Sequence, residues 1–366
     1  MSPLFNIWHS IQHTLFPWLE KELDPLTEKQ QEFVRVIELA EVQKHISPYR
    51  WQGIGRKRDD RLVIVKAFVA KAVYNFSTTK VLIAYLHDST NLRRLCGWES
   101  KGEIPSESTF SRAFEEFSRG GLGQKIHEAM VKHAGPKLAG HVSRDATAVE
   151  AREKPFRKEP KSPKSGPKRK RGRPRQGEVG AAKEPKRLGL QPGRSLAENV
   201  ADLPTRCDVG TKIDAKGHKT SWIGYKLHLD SIDGDIPVSA LLSSASLHDS
   251  QAAIPLAQMT AARVTSLYNL MDAAYDAPQI SAYSTALGQA PSPIIDTNPR
   301  RGEKKEMDPA QAVRFRNRST AERVNSNLKD NYSGRFVRVR GAAKVMTHLM
   351  FGLIAITATQ LFRLLE

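Results

Sequence analysis

Residues Ser221 to Ser246 read SWIGYKLHLDSIDGDIPVSALLSSAS. Ser221 to Ile232 has the composition of a strand. Asp233-Gly234 is a hairpin turn signal, because glycine supplies the positive φ that a tight β-turn needs. Ile236 to Ser246 is then the returning strand. Upstream, HVSRDATAVEA (His141 to Ala151) reads as a further strand. Downstream, Ser246-Leu-His-Asp249 resembles a capping box and opens a helix that runs to about Ala262. VTSLYNLMDAAYD (Val264 to Asp276) supplies a fourth strand ending at Asp272. Ala277 to Leu287 is helical, and SPIIDTNPR (Ser292 to Arg300) supplies a short fifth strand. Asp308 caps a last helix with Pro309 at its first position. That helix runs to about Asp330 and stops at Asn331-Tyr332-Ser333-Gly334.

Three strands, helix, strand, helix, strand, helix is an α/β order: an antiparallel meander followed by crossovers in a mixed five-stranded sheet. It is the ribonuclease H-like order, and the flanking helices complete the unit. The segment before it is all helical. Leu62, Val65, Phe68, Val69 and Ala72 share one helical face. Thr79 is placed to cap a helix carrying Leu82, Ile83, Tyr85 and Leu86, and Ser106 one carrying Phe110, Ala113, Phe114 and Phe117. With Ser108, Ser111 and Arg112 on its polar face, this last helix suits a helix-turn-helix-like module; a plain packing bundle is the alternative. The expected division is an N-terminal arm over 1–45, a helical, helix-turn-helix-like domain over 46–135, and an α/β domain over 136–366 interrupted at about 152–217.

That interruption is where the charge lies. The chain has 366 residues and a formal net charge of +18, which points to a polyanionic partner, nucleic acid before acidic membrane. From Arg152 to Arg194 there are sixteen Lys or Arg against four Glu, with seven prolines and one aromatic residue. Such a segment cannot bury a core and is expected to be disordered when free. Its centre carries Lys168, Arg169, Lys170, Arg171, Arg173 and Arg175 around Gly172 and Pro174. The Arg-Gly-Arg-Pro core resembles an AT-hook, an arm for the narrow minor groove; a generic polybasic linker is the alternative. MSPLFNIWHS at the start has no signal-peptide character, and the apolar tail near Met350 to Leu365 is interrupted by polar residues, as in a packed helix. Cys96 and Cys207 lie far apart with no CxxC, HExxH or GxxxxGK[ST] motif, which argues against a zinc site and a nucleotide cofactor.

Three acids stand out. Asp145 lies in the first strand, Asp272 ends the fourth, and Glu322 lies on the last helix. The first and fourth strands of such a sheet are neighbours, so these acids can converge. Three converging carboxylates call for cations; two Mg²⁺ (or Mn²⁺) ions roughly 3.5–4 Å apart relieve the repulsion and suit phosphodiester chemistry. On a helix, Phe315, Arg318, Glu322 and Lys329 fall on one stripe within roughly 60°. Arg318, Lys329 and Arg323 are then candidate phosphate contacts. An Arg318–Glu322 ion pair is the alternative reading of the stripe. The other acids read as structural: Asp276 and Asp249 as helix caps, with His248 and Asp249 near the metals as the alternative, and Asp230, Asp233 and Asp235 as turn acids. Trp222 and Tyr225 read as strand packing residues.

The spacing Phe315, Arg318, Glu322, Lys329 resembles the Tyr-Arg-Glu-Lys signature of one branch of DDE transposases of bacterial insertion sequences. Phe315 replaces the tyrosine and lacks its hydroxyl. The segments SRDATAVEA, WIGYKLHLD, SLHDS and LMDAAYD resemble the blocks around that family's catalytic strands. The resemblance covers about Gly140 to Leu365, and more loosely the helical part. It implies binding of double-stranded DNA at terminal inverted repeats and a homodimer that pairs two element ends. It also implies hydrolysis to free a 3′-hydroxyl, and transfer of that hydroxyl to target DNA without ATP. The expected location is the bacterial cytoplasm, at the nucleoid, with no membrane partner. A DNA-binding relic of a transposase and a ribonuclease H-like nuclease are the rival readings.

Overall fold

The structure is a computed structural model that describes residues 2–47, 59–157, 186–213, 217–286, 292–298 and 306–366. Lys168, Arg169, Lys170, Arg171, Arg173 and Arg175 of the AT-hook-like arm lie outside the described residues. Among those described, six strands form one sheet: β1 (Leu138–Glu150), β2 (Asp208–Ile213), β3 (Lys219–Ile232), β4 (Ile236–Ser244), β5 (Thr265–Met271) and β6 (Ser292–Ile295). The order is β2-β3-β1-β5-β6, with β4 also paired to β3. β3 runs antiparallel to β1, β2 and β4; β1, β5 and β6 run parallel. The β3–β4 hairpin forms at the expected turn, where Gly234 and Asp235 take φ values of +80° and +58°. The sheet is the mixed one expected, with a sixth strand. β2 was hidden in sequence because it is short, exposes Val209 and Ile213, and sits at the rim of the basic insertion.

Among the described residues, eight α-helices precede β1: α1 (Pro3–Ser10), α2 (Phe16–Glu22), α3 (Glu28–Ala40), α4 (Arg61–Val73), α5 (Thr79–Asp88), α6 (Thr90–Cys96), α7 (Glu107–Arg119) and α8 (Leu122–Ala134). The residues read as an arm are thus helical; α3 is closed by a Thr27–Gln30 capping box and buries Phe33, Val36 and Ile37. The cap of α5 is Thr78, not Thr79, accepting from Val81 N at 3.1 Å. Ser106 stands at the N-cap of α7, but its hydroxyl pairs with Ser108 at 3.0 Å instead of a helix N–H. Within the α/β unit come α9 (Arg187–Leu190), α10 (Leu196–Ala201), α11 (Ser250–Ala261), α12 (Pro278–Ala286), α13 (Pro309–Phe315), α14 (Ser319–Asn331) and α15 (Ala342–Arg363).

α15 organises the core. It is buried on nearly its whole circumference, touching α3, α4, α7 and α8 on the helical side and β4 and α14 on the sheet side. It is long and apolar enough to cross a membrane by length and composition, but it is buried inside the fold, as the packed helix expected of its tail. Its apolarity belongs to a central core helix, apolar all round because neighbours surround it. Phe68 of α4, Phe114 of α7 and Phe351 of α15 pack ring against ring at 4.9–6.3 Å. One hydrophobic cluster therefore runs through the helical part and the sheet.

Candidate active site

β1 points alternate side chains to opposite faces. On one face Arg144, 2% exposed, forks onto fully buried Asp230 of β3 at 2.8 and 2.6 Å. Thr260 of α11 donates to the same carboxylate at 2.7 Å. Asp230 is thus a buried partner that joins β1, β3 and α11, not the turn acid expected from its nearness to Gly234. Asp233 and Asp235 do sit at the turn, where Asp233 accepts from the backbone N–H of His141 and Asp235 pairs with Arg323.

On the other face, Ser143, Asp145 and Thr147 meet the last helices. Arg144 and Met271 are paired across β1 and β5, so Asp145 and Asp272 lie one step further along two parallel strands. Burial pushes the Asp145 carboxyl up to about 6, and the nearby Asp272 charge adds to the rise. Asp272 is raised too, again mainly by burial, although it accepts the Ala274 N–H at 2.9 Å. Asp249 contributes to that rise. It stands at the start of α11 without capping it, and pairs with Lys226 at 2.8 Å. Asp276 accepts from Asn298 N at 3.0 Å.

The helix expected from Pro309 to Asp330 begins as read, with Asp308 accepting from Ala310 and Gln311. It is interrupted at Arg316–Arg318 by a 3₁₀ turn. No glycine or proline signals the break. Two hydroxyls hold it, Ser319 donating to the Arg316 carbonyl at 3.1 Å and Ser143 to the Asn317 carbonyl at 3.0 Å. Past the turn, α14 lays its stripe over β1. Asn325 donates to Asp145 at 3.0 Å, and Lys329 to Thr147 at 2.6 Å. The Arg318 guanidinium stands 5.8 Å from the Phe315 ring centroid, so the aromatic ring remains a support for it without a hydroxyl.

Glu322 is exposed and bonds Arg318, the ion pair that was the alternative reading of the stripe. The same guanidinium lowers the pKa values of Asp145 and Asp272 against the effect of burial. The structure brings Asp145 and Asp272 near each other, and Arg318, bonded to Glu322, acts electrostatically on both. Among the described residues, no three acids or histidines are grouped closely enough to hold a metal. Arg323 forks onto Asp235 instead of standing free. Ser108, Ser111 and Arg112 are exposed on α7, well away from the acids in sequence, with Arg112 bonded to the Ser108 carbonyl.

Sequence reading missed three neighbours of the acids. Lys212, on the unforeseen β2, contributes positive charge at Asp145, Asp272 and Lys329. Asn325 was hidden because an amide on a helix carries no motif. Tyr275 is fully buried with an unpartnered hydroxyl, in the field of Asp249, Asp145 and Asp272. Its position in LMDAAYD is the one signal that pointed to it. The donors suit a hard divalent cation: two desolvated carboxylates, and the buried, unpartnered Asn325 Oδ1 beside them.

A transposase domain family (DUF772) matches residues 19–116, and the transposase DDE domain family matches residues 204–358. The second match contains Asp272, the Phe315-Arg318-Glu322-Lys329 stripe and Lys212; Asp145 lies between the two matches. No curated protein and no solved structure matches the chain. With two transposase families along one chain, over a mixed sheet that sets Asp145 beside Asp272, the chain belongs to the DDE transposases of insertion-sequence type.

Proposed function

We propose that this transposase cuts DNA at the terminal inverted repeats of its element and joins the freed 3′-hydroxyl to target DNA. Asp145, Asp272 and Glu322 are the carboxylates that would hold two Mg²⁺ or Mn²⁺ ions, and those ions would supply activation of the attacking oxygen and stabilisation of the leaving one. The observation that carries this reading is the Asp145–Asp272 pair on adjacent strands, desolvated and facing a helix stripe of Arg318, Glu322 and Lys329. Two carboxylates held so close without a matching positive charge are costly, and a divalent cation offsets that cost.

Arg318 and Glu322 exchange partners in this account. A DNA phosphate takes the Arg318 guanidinium in a two-pronged hydrogen bond, and Glu322 is released toward the two aspartates. Lys329, anchored on Thr147 two residues from Asp145, holds the neighbouring phosphate. Arg323 reaches DNA only by leaving Asp235, and the arm from Lys168 to Arg175 adds sequence-tolerant phosphate or minor-groove contact. Pairing of two ends calls for a homodimer on DNA, acting at the bacterial nucleoid.

The test uses a labelled duplex carrying the flanking repeat, a supercoiled target plasmid and Mg²⁺ or Mn²⁺. Covalent joining of the repeat's 3′ end to the plasmid is the expected product. Preferential cutting of an RNA–DNA hybrid would favour the nuclease reading, and tight repeat binding without cut or join would favour the DNA-binding relic.

A further inference from the structure

A cleft of about 620 Å³ lies between the helical part and the chain that links α14 to α15. Lys71, Arg152, Arg338, Arg340 and Lys344 line it, against one acid among the lining residues, Glu107. Lys71 is the unusual member. Its residue is only 7% exposed, yet its ammonium has no hydrogen-bond or carboxylate partner among the described residues. A buried, unpaired cation is destabilising and is tolerated where an anion arrives to pair with it. Burial alone pushes its pKa down to about 8. His348 beside it is held neutral, its pKa pushed down to about 3 by burial and by Lys71, so it donates to the Ser333 carbonyl at 2.9 Å and competes for no anion.

The wall opposite Lys71 is fixed firmly. Ser333 takes a left-handed φ of +63°, accepted by Asn75 at 2.8 Å through its N–H and bonded by its hydroxyl to the Lys71 and Phe76 carbonyls. The chain then runs through Arg338 and Arg340, both of which line the cleft. Arg340 bonds the Arg152 carbonyl at 3.1 Å, which ties this wall to the end of β1. Arg338 has no partner among the described residues. Lys344 is only loosely held, 3.5 Å from Glu115. Ser111 of α7 also lines the cleft, so the helix read as a DNA-facing one forms part of it.

We propose that this cleft is a second DNA-backbone site, in which a phosphate of the bound duplex pairs with Lys71 while Arg338 and Arg340 hold the phosphates beside it. The proposal rests on DNA being the substrate but not on the assignment of the three acids. Arg152 follows the end of β1 by two residues, so the cleft opens just past the strand that carries Asp145. Free phosphate shares the chemistry, and the DNA arm of the test separates the two.

The experiment compares full-length wild type, Lys71→Met and Arg338→Ala for binding of a labelled repeat duplex over a salt series. Lys71→Met keeps the side-chain volume and removes the buried charge, so it is expected to melt no lower than wild type. The expected result is about tenfold weaker binding in each variant, with the slope of log affinity against log salt reduced by about one. Unchanged affinity and slope in both variants would overturn the proposal. So would stabilisation of wild type, but not Lys71→Met, by inorganic phosphate with no loss of duplex affinity, since that would mark a small-anion site. Cleavage by Asp145→Ala is read in parallel: if that variant still cuts while Lys71→Met binds weakly, the acid assignment fails and the cleft stands.

Discussion

Asp145 carries two conflicting demands. Burial and the neighbouring Asp272 make its charge costly in the protein alone, while the proposed mechanism needs that charge to hold a cation. Replacing Asp145 by Asn removes the charge and keeps the shape. With one pKa unit worth about 1.4 kcal/mol, Asp145→Asn is predicted to stabilise the metal-free protein by on the order of 2 kcal/mol at neutral pH. Its melting temperature should rise while cleavage is lost; a lower melting temperature would show that Asp145 is structurally required. At this scale the sequence was informative where chemistry repeats at a spacing. The spacing of Phe315, Arg318, Glu322 and Lys329 was legible because it is local, but not the 3₁₀ turn at Arg316–Arg318 that breaks the helix within it. Asp230 and Asp249 were misread, one as a turn acid and one as a cap. Their partners, Arg144 and Lys226, become neighbours only when strands pair.

At the scale of the element, the site depends on how β1 and α14 are held. Arg144 and Asp230 fix β1 against β3 from the face opposite the acids. Arg144→Met leaves Asp230 buried and uncompensated, and is predicted to cost about 3–5 kcal/mol. Urea unfolding would show it, and the double variant with Asp230→Leu should recover much of the loss. A single-variant cost near zero would mean that the pair is not what sets the register. α14 is positioned from behind by α15, where Gly352 lets it approach closely. A Cβ at Gly352 would stand 2.5 Å from Leu328 Cδ1 and 2.7 Å from the Tyr332 carbonyl. Gly352→Ala is predicted to destabilise by about 1–3 kcal/mol and to slow cleavage by shifting Glu322 and Lys329 together. The strands that carry the acids were legible from their turns and order. β2 and the 3₁₀ turn were not, since an exposed edge strand has no apolar run and a turn held by serine hydroxyls has no breaker residue.

Across the whole molecule, α15 makes the helical part and the sheet share one core, and three buried histidines sit where elements of that core meet. His127 of α8 bonds the Pro237 carbonyl and Thr357 of α15, each at 3.1 Å. Burial pushes His127 and His348 down to about 3 and His228 down to about 4. All three are neutral when folded and protonate near 6.5 when unfolded. The unfolded chain therefore binds more protons below that value, and stability present above about pH 6.5 is lost as pH falls toward 4. Asp145, raised to about 6, works in the opposite direction and offsets part of the loss. The melting temperature is predicted to fall between pH 7 and 5, less steeply in His127→Gln; a flat profile would contradict this. The central claim, that Asp145, Asp272 and Glu322 form the cutting centre, is tested most directly by one measurement. That measurement is Mg²⁺-dependent nicking of a labelled duplex carrying the element's terminal repeat, by wild type and by Glu322→Ala. The account predicts cuts at the repeat boundary by wild type and none by the variant, with repeat binding retained. Equal cutting by both would contradict it.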